Sequence, residues 1–243
     1  MHNSQKYSVS KSRLHSLQSL KKILLIVITV STSIAIVVSV LTPKSANLKK
    51  YQFPNNLVLK DLQLKASNNL DNLNETNIGG AWQYIYTSPN QKTSSKSRQE
   101  IQIDIVYTYT VISLPRSLSI LNIKHSEKPL DIKYANNIGY YTLFTDQKRA
   151  YLASCINPRG EATVTEKQFT NNRDKYDFSI DKLGLYLIGK SDLRDNRCLF
   201  TVMSTSLENN TSQISNSVDN TYQTLETSWK DWYIYWKNKF PET

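Results

Sequence analysis

The chain has 243 residues, enough for one ordinary domain with a flanking segment and too few for two comfortable domains. Only 6 glycines and a hydrophobic fraction of 39% exclude a collagen-like or wholly disordered class. The net charge of +10 is not a nucleic-acid signature, because nine of the 30 Lys and Arg precede the first acidic residue, Asp61, leaving 21 basic against 20 acidic residues beyond it.

The early basic residues flank one apolar run. Lys6, Lys11, Arg13, Lys21 and Lys22 lie before it, and Lys44, Lys49, Lys50 and Lys60 after it. The run itself, Ile23 to Leu41, carries no charge. As a helix it would reach about 28 Å, the thickness of a bilayer's hydrocarbon core. The expectation is a cytoplasmic basic tail over 1–22 and a single transmembrane helix over 23–41. The competing reading is a cleaved signal peptide, whose apolar core is shorter and ends in a small-x-small site. Lys44 two positions before Ala46 makes a poor site of that kind. Two lysines at the membrane edge and a short tail place the N-terminus in the cytoplasm and the remainder outside it, on the periplasmic side.

Residues 42–77 are polar and rich in Asn and Lys, and they are expected to form a stalk; Leu57, Leu59, Leu62 and Leu64 mark a packed stretch within it. The exported domain then runs over 78–243. Ala81 to Thr87 places Trp82, Tyr84 and Tyr86 on one side. Ile101 to Val111 alternates apolar and polar residues strictly, as a strand with one buried face does. With the polar run Ser88–Arg98 between them, these two read as neighbouring antiparallel strands. Tyr140–Thr145 and Ala150–Ile156 form a second hairpin around Asp146–Arg149. Asn157-Pro158-Arg159-Gly160 is a turn by composition. Thr163-Val164-Thr165-Glu166 has capping-box spacing and predicts a short helix to about Asn172. Asp181–Lys190 reads as another short helix and Cys198–Ser204 as another strand. The class is α+β: one N-terminal transmembrane helix, then an extracytoplasmic antiparallel-sheet domain closed by a C-terminal amphipathic helix.

That last helix bears an aromatic stripe: Tyr222, Leu225, Trp229, Trp232, Tyr233, Trp236 and Phe240 recur at spacings of three and four. Such a face packs on the sheet, or else Trp229, Trp232, Tyr233 and Trp236 present a docking face to a partner or to the headgroup layer. Outside the cytoplasm, Cys155 and Cys198 make a disulfide pair, closing a loop worth about 4 kcal/mol in the chain-entropy view. The alternative is two buried thiols. Arg159, Arg173, Arg194 and Arg197 gather in two acidic and polar stretches. They form either a site for a carboxylate-bearing ligand, which guanidinium forks bind in pairs, or structural ties to Asp174, Asp192 and Asp195. No HExxH, CxxC, GxSxG or phosphate-binding glycine loop is present, and His125 is the only histidine beyond the tail.

Three stretches carry a resemblance. GYYTLFTDQKRAYLASCINPRGEATVTEKQFTNNRDKYD (Gly139–Asp177), LRDNRCLF (Leu193–Phe200) and WKDWYIYWKNKF (Trp229–Phe240) closely resemble the cyanoexosortase A system-associated proteins of cyanobacteria. The resemblance implies a non-enzymatic accessory of a cyanoexosortase, a multi-pass membrane enzyme that processes exported proteins bearing a PEP-type C-terminal sorting signal and is linked to exopolysaccharide export. It brings over no catalytic residue and no cofactor or metal. Two alternatives stand beside it: an exported hydrolase or transferase, marked by a buried carboxylate without a basic partner, and a binding module for an acidic ligand, marked by the arginines.

Overall fold

The structure is a computed structural model that describes residues 19–34, 50–70, 73, 76–87, 99–111, 113–124, 130–177, 184, 186, 194–207 and 214–241. The chain divides into two units, Met1–Asn47 and Leu48–Thr243.

In the first unit, residues 19–34 form helix α1, exposed along its length, with Leu20, Leu24, Leu25 and Ile26 among its uncovered side chains. Thr29, Thr32 and Ser33 bond back to carbonyls one turn earlier, the usual accommodation of hydroxyls inside a helix. The transmembrane helix expected over 23–41 is corrected here. No helix among the described residues is long and apolar enough to cross a membrane. Residues 35–41, the remainder of the expected span, lie outside the described residues.

The second unit is built on one seven-stranded sheet. Its strands are β1 (Gln63–Asn69), β2 (Ile78–Thr87), β3 (Glu100–Thr108), β4 (Asp131–Ala135), β5 (Gly139–Asp146), β6 (Arg149–Ile156) and β7 (Cys198–Ser206). They lie in the order β1-β2-β3-β7-β6-β5-β4, and every neighbouring pair is antiparallel. Two three-stranded ribbons, β1–β3 and β4–β6, are thus zipped together by β7. Three helices of this unit have their bounds among the described residues: α2 (Leu114–Ile120), α3 (Glu166–Tyr176) and α4 (Ile214–Asn238).

One face of the sheet takes the alternating set Ile101, Ile103, Ile105 and Tyr107 together with Leu199, Met203, Leu152, Tyr84 and Tyr86, all buried. Helix α4 lies across β6 and β7 on this face. Its Leu225, Trp229, Trp232, Tyr233 and Trp236 are buried in the same cluster. The stretch expected as a stalk joins in as well: Phe53, Leu57 and Leu59 are buried there, and the Tyr84 and Tyr86 hydroxyls donate to the carbonyls of Pro54 and Leu57 at 2.8 and 2.9 Å. The opposite face carries Ala81, Val106, Ala153, Phe200 and Val202 under Leu114 and Leu118 of α2 and Phe169 of α3.

Helix α3 starts two residues later than its sequence suggests. Thr163 still belongs to extended backbone, exchanging both main-chain bonds with Cys155 at 2.8 and 3.0 Å. Thr165 is therefore the first residue able to cap, and it does so reciprocally with Gln168. Of the short helix expected over Asp181–Lys190, only Gly184 and Tyr186 are described, both helical; the rest lies outside the described residues.

Candidate functional site at the disulfide corner

Where β6 leaves the sheet and β7 enters it, Cys155 and Cys198 are joined by a disulfide, with Cα atoms 5.7 Å apart. Pairing between β6 and β7 sets Cys155 opposite Phe200 and one pleat away from Cys198, a separation the bridge can span without moving backbone. The turn that follows, Asn157–Gly160, is held by three devices. Asn157 Nδ2 donates to Glu161 O at 2.6 Å and to Thr163 Oγ1 at 3.2 Å. Asn172 of α3 bonds Arg159 O and Glu161 N. Gly160 has φ +67°, and a Cβ there would collide with the side chains of Asn172 and Tyr176, so glycine is required on both counts.

Helix α4 supplies the lid of this turn. Lys237 Nζ donates to Gly160 O at 2.6 Å and to Asn157 O at 3.3 Å, and the Tyr233 hydroxyl donates to Gly160 O at 3.4 Å. Burial of the ammonium pushes the Lys237 pKa down to about 8.

All four predicted arginines come to this corner, and each meets a carboxylate. Arg159 pairs with Asp177 at 3.2 Å, and Asp177 also accepts the Asp195 N–H at 2.6 Å. Arg173 lies 3.5 Å from Asp174 and donates to Asn196 Oδ1 at 2.6 Å, while Arg194 reaches the same Asp174 at 3.3 Å. Arg197 is the most deeply engaged. Its Nε and Nη2 grip Asp195 at 2.8 and 2.6 Å, and its Nη1 donates to the Tyr107 hydroxyl at 3.2 Å and to Pro241 O at 2.7 Å. Burial alone would lower its pKa, but the bonds to Asp195 and Tyr107 outweigh that and leave it raised. The guanidinium also stands over the Phe240 ring at 5.4 Å, so it pins the C-terminus to β3. The cluster therefore ties loops; a ligand carboxylate at Arg197 would have to displace Asp195 from two short bonds. Arg159 and Arg194 keep about half their side chains exposed, at 47% and 53%, and form its outer surface with Tyr176.

The proposed docking face does not face outward. Trp229, Trp232, Tyr233 and Trp236 are all buried against the sheet, and Trp232 Nε1 donates to Thr201 Oγ1 of β7 at 3.1 Å. Only two of the helix's apolar side chains in this region turn outward to any degree, and Ile234 does so most, at 55% exposed.

A buried carboxylate escaped the sequence reading. Asp104 sits on the face of β3 away from α4, where alternation suggested a half-wet position. It is buried, and its two oxygens accept Nε2 bonds from Gln83 and Gln102, each at 2.8 Å. Burial raises its pKa; the two amide bonds and the charge of Arg149 work in the other direction. The alternating pattern gave no sign of it, because a polar residue on a strand's second face reads as solvated unless loops and neighbouring strands cover it. Among the described residues no group of three or more His, Cys, Asp or Glu is placed to hold a metal ion.

Compared with known proteins, the chain matches no family model, no curated protein and no solved structure.

Proposed function

We propose that this chain is a non-enzymatic accessory protein of a cyanobacterial exosortase system, working outside the cytoplasm beside the multi-pass exosortase in PEP-type sorting and exopolysaccharide-linked export. One observation carries the reading. The three separate stretches that resemble the exosortase-associated proteins converge on a single corner: β6 and α3 from the first, the start of β7 from the second, and the end of α4 from the third. They are tied by the Cys155–Cys198 bond, the Arg159–Asp177–Asp195 chain and the Lys237–Gly160 contact. The same stretches also fill both faces of the sheet, with Leu152, Trp229 and Trp232 on one and Ala153, Phe169 and Phe200 on the other. The half-exposed Arg159 and Arg194 on this rigid corner suit a surface for a partner.

The disulfide supports placement outside the cytoplasm, since such bonds form and persist in oxidising compartments. The hydrolase alternative is marked by a buried carboxylate without a basic partner, and Asp104 carries that mark: it is buried, no ion pair holds it among the described residues, and its two oxygens accept only from the amides of Gln83 and Gln102.

The test is capture of the exosortase from the same cells by the tagged full chain. The exosortase is expected in the captured fraction, and Arg194→Gln with Tyr176→Ala, both on the exposed rim of the corner, should weaken capture several-fold with an unchanged thermal transition. Absence of the exosortase from that fraction, together with unchanged processing of PEP-signal proteins after deletion of the chain, would end the proposal.

A further inference from the structure

Strand β4 is an outer edge of the sheet, and its outer side, unpaired with any strand among the described residues, is well suited to a copy of itself. We infer that two molecules of this chain associate through β4, antiparallel about a two-fold axis at Ile132, so that two seven-stranded sheets become one. This inference does not rest on the accessory reading.

The main-chain directions define which residues can pair. Tyr140 of β5 directs its N–H to Ala162 O at 2.9 Å, away from β4, so the alternate residue Tyr141 faces its partner Lys133; Ala135 O accepts from Ile138 N in the turn to β5 at 3.2 Å, and the Thr142 hydroxyl donates to Asp131 O at 3.1 Å. Asp131, Lys133 and Ala135 therefore turn their amides and carbonyls toward β5. In an antiparallel ladder the intervening residues turn theirs the other way. Ile132 and Tyr134 thus offer outward N–H and C=O groups at the sheet edge.

The side chains select the partner. A two-fold axis at Ile132 sets Ile132 against the Ile132 of the other copy, Tyr134 against its Leu130, and Asp131 against its Lys133. On one face of the joined sheet this covers Ile132 and Tyr134, which are 37% and 51% exposed in the single chain, with further apolar side chains. On the other face it sets opposite charges across the joint at both ends, the cross-strand arrangement that favours pairing. Moving the axis one residue, to Lys133, would oppose two lysines and is disfavoured by the same rule. Edge strands are ordinarily guarded against such pairing by proline, bulges or charge, lysine above all; the two charges of β4, Asp131 and Lys133, complement each other in this register. The sequence DIKYA has no proline, and β4 pairs with β5 without a bulge.

The rest of the molecule leaves room. Helix α4 is seated on β6 and β7, and its Glu226 reaches over the sheet to Tyr141 of β5 at 2.9 Å and Lys133 of β4 at 3.4 Å. Five strand spacings would separate β6 from its counterpart, about 24 Å at the usual spacing, so the parts of the two helices seated on β6 do not meet.

A joint of one short strand falls in the small, transient class of interfaces, so the full chain should be examined at concentrations up to about 100 micromolar. Mild detergent keeps the apolar α1 from associating by itself. Analytical ultracentrifugation is expected to show a monomer–dimer equilibrium. Asp131→Lys and Lys133→Asp should each weaken it at least tenfold, because each variant meets its own copy with like charges only. An equimolar mixture of the two should recover association as a heterodimer, since every cross-strand pair is then complementary. Ile132→Lys, which leaves the Lys133–Glu226 contact in place, should abolish dimers with the thermal transition retained. A wild-type chain that stays monomeric throughout this range overturns the inference. So does self-association indifferent to Asp131→Lys and Ile132→Lys, or failure of the mixture to recover when both variants are folded.

Discussion

Replacing Trp232 decides whether the aromatic stripe of α4 serves the core or a partner. The indole is buried, edge-on to Tyr84 at 5.6 Å and to Trp236 at 5.8 Å, with its Nε1 bonded to Thr201 at 3.1 Å. Truncation of a buried Trp costs about 3–5 kcal/mol through lost transfer energy and the cavity left behind. The stranded Thr201 hydroxyl adds about 1 kcal/mol. For a domain of this size that corresponds to a fall in Tm of roughly 10 °C or more. Ile234→Ala on the exposed side of the same helix should stay within about 0.5 kcal/mol. The comparison sharpens with Trp232→Phe against Trp236→Phe. Both lose part of a ring, but the Trp236 nitrogen has no hydrogen-bond partner among the described residues, so the Trp232 variant should be worse by about 1 kcal/mol. Urea unfolding followed by far-UV dichroism measures all four variants. Should Trp232→Ala unfold at the same urea concentration as Ile234→Ala, the packing account of α4 is wrong and a docking role for the stripe returns.

Loss of the bridge by Cys155→Ala with Cys198→Ala should cost about 4 kcal/mol in the chain-entropy view, measured by urea unfolding with and without reductant; reductant should then have no further effect. Arg197→Ala removes bonds to Asp195, Tyr107 and Pro241 at once, and an expected loss of about 2–4 kcal/mol should come with faster amide exchange in residues 236–240; Arg197→Lys should not restore it, lacking the fork that grips Asp195. Asp104 has a raised folded-state pKa, so its contribution to stability is fully present below the ordinary value of 3.8 and is lost as pH rises through the folded value. Asp104→Asn should therefore flatten stability against pH on the acid side, relative to the parent, and a slope identical to the parent's would show that this carboxylate is not desolvated. Lys237 shifts oppositely to a paired lysine: with its pKa down to about 8, the folded state binds the proton more weakly than the unfolded chain, and stability should rise from about pH 8 toward 10.5. Lys237→Met should remove that rise.

Elements whose information is local were legible in the chain. The alternation of Ile101 to Tyr107, the Tyr140–Ile156 hairpin and the three-and-four spacing of the α4 aromatics each record which side of one element meets apolar surroundings, and period alone reveals that. The pairing of Cys155 with Cys198 followed from there being only two cysteines. What pairing partners decide was not legible. The insertion of β7 between β3 and β6 depends on segments far apart in the chain, as does the place where the expected packed stretch around Leu57 and Leu59 lodges, against Tyr86 in the main core. So does the burial of Asp104. The start of α3 at Thr165 instead of Thr163 was set by the bridge from Cys155, a contact that no local capping pattern contains. Four arginines in sequence are four possible ligands; only the fold assigns each one a carboxylate. Composition and spacing thus determined which surfaces are apolar and which elements form, because those depend on neighbours along the chain. Tertiary structure decided which polar groups are spent on one another and which strand edge is left open, because those depend on neighbours in space.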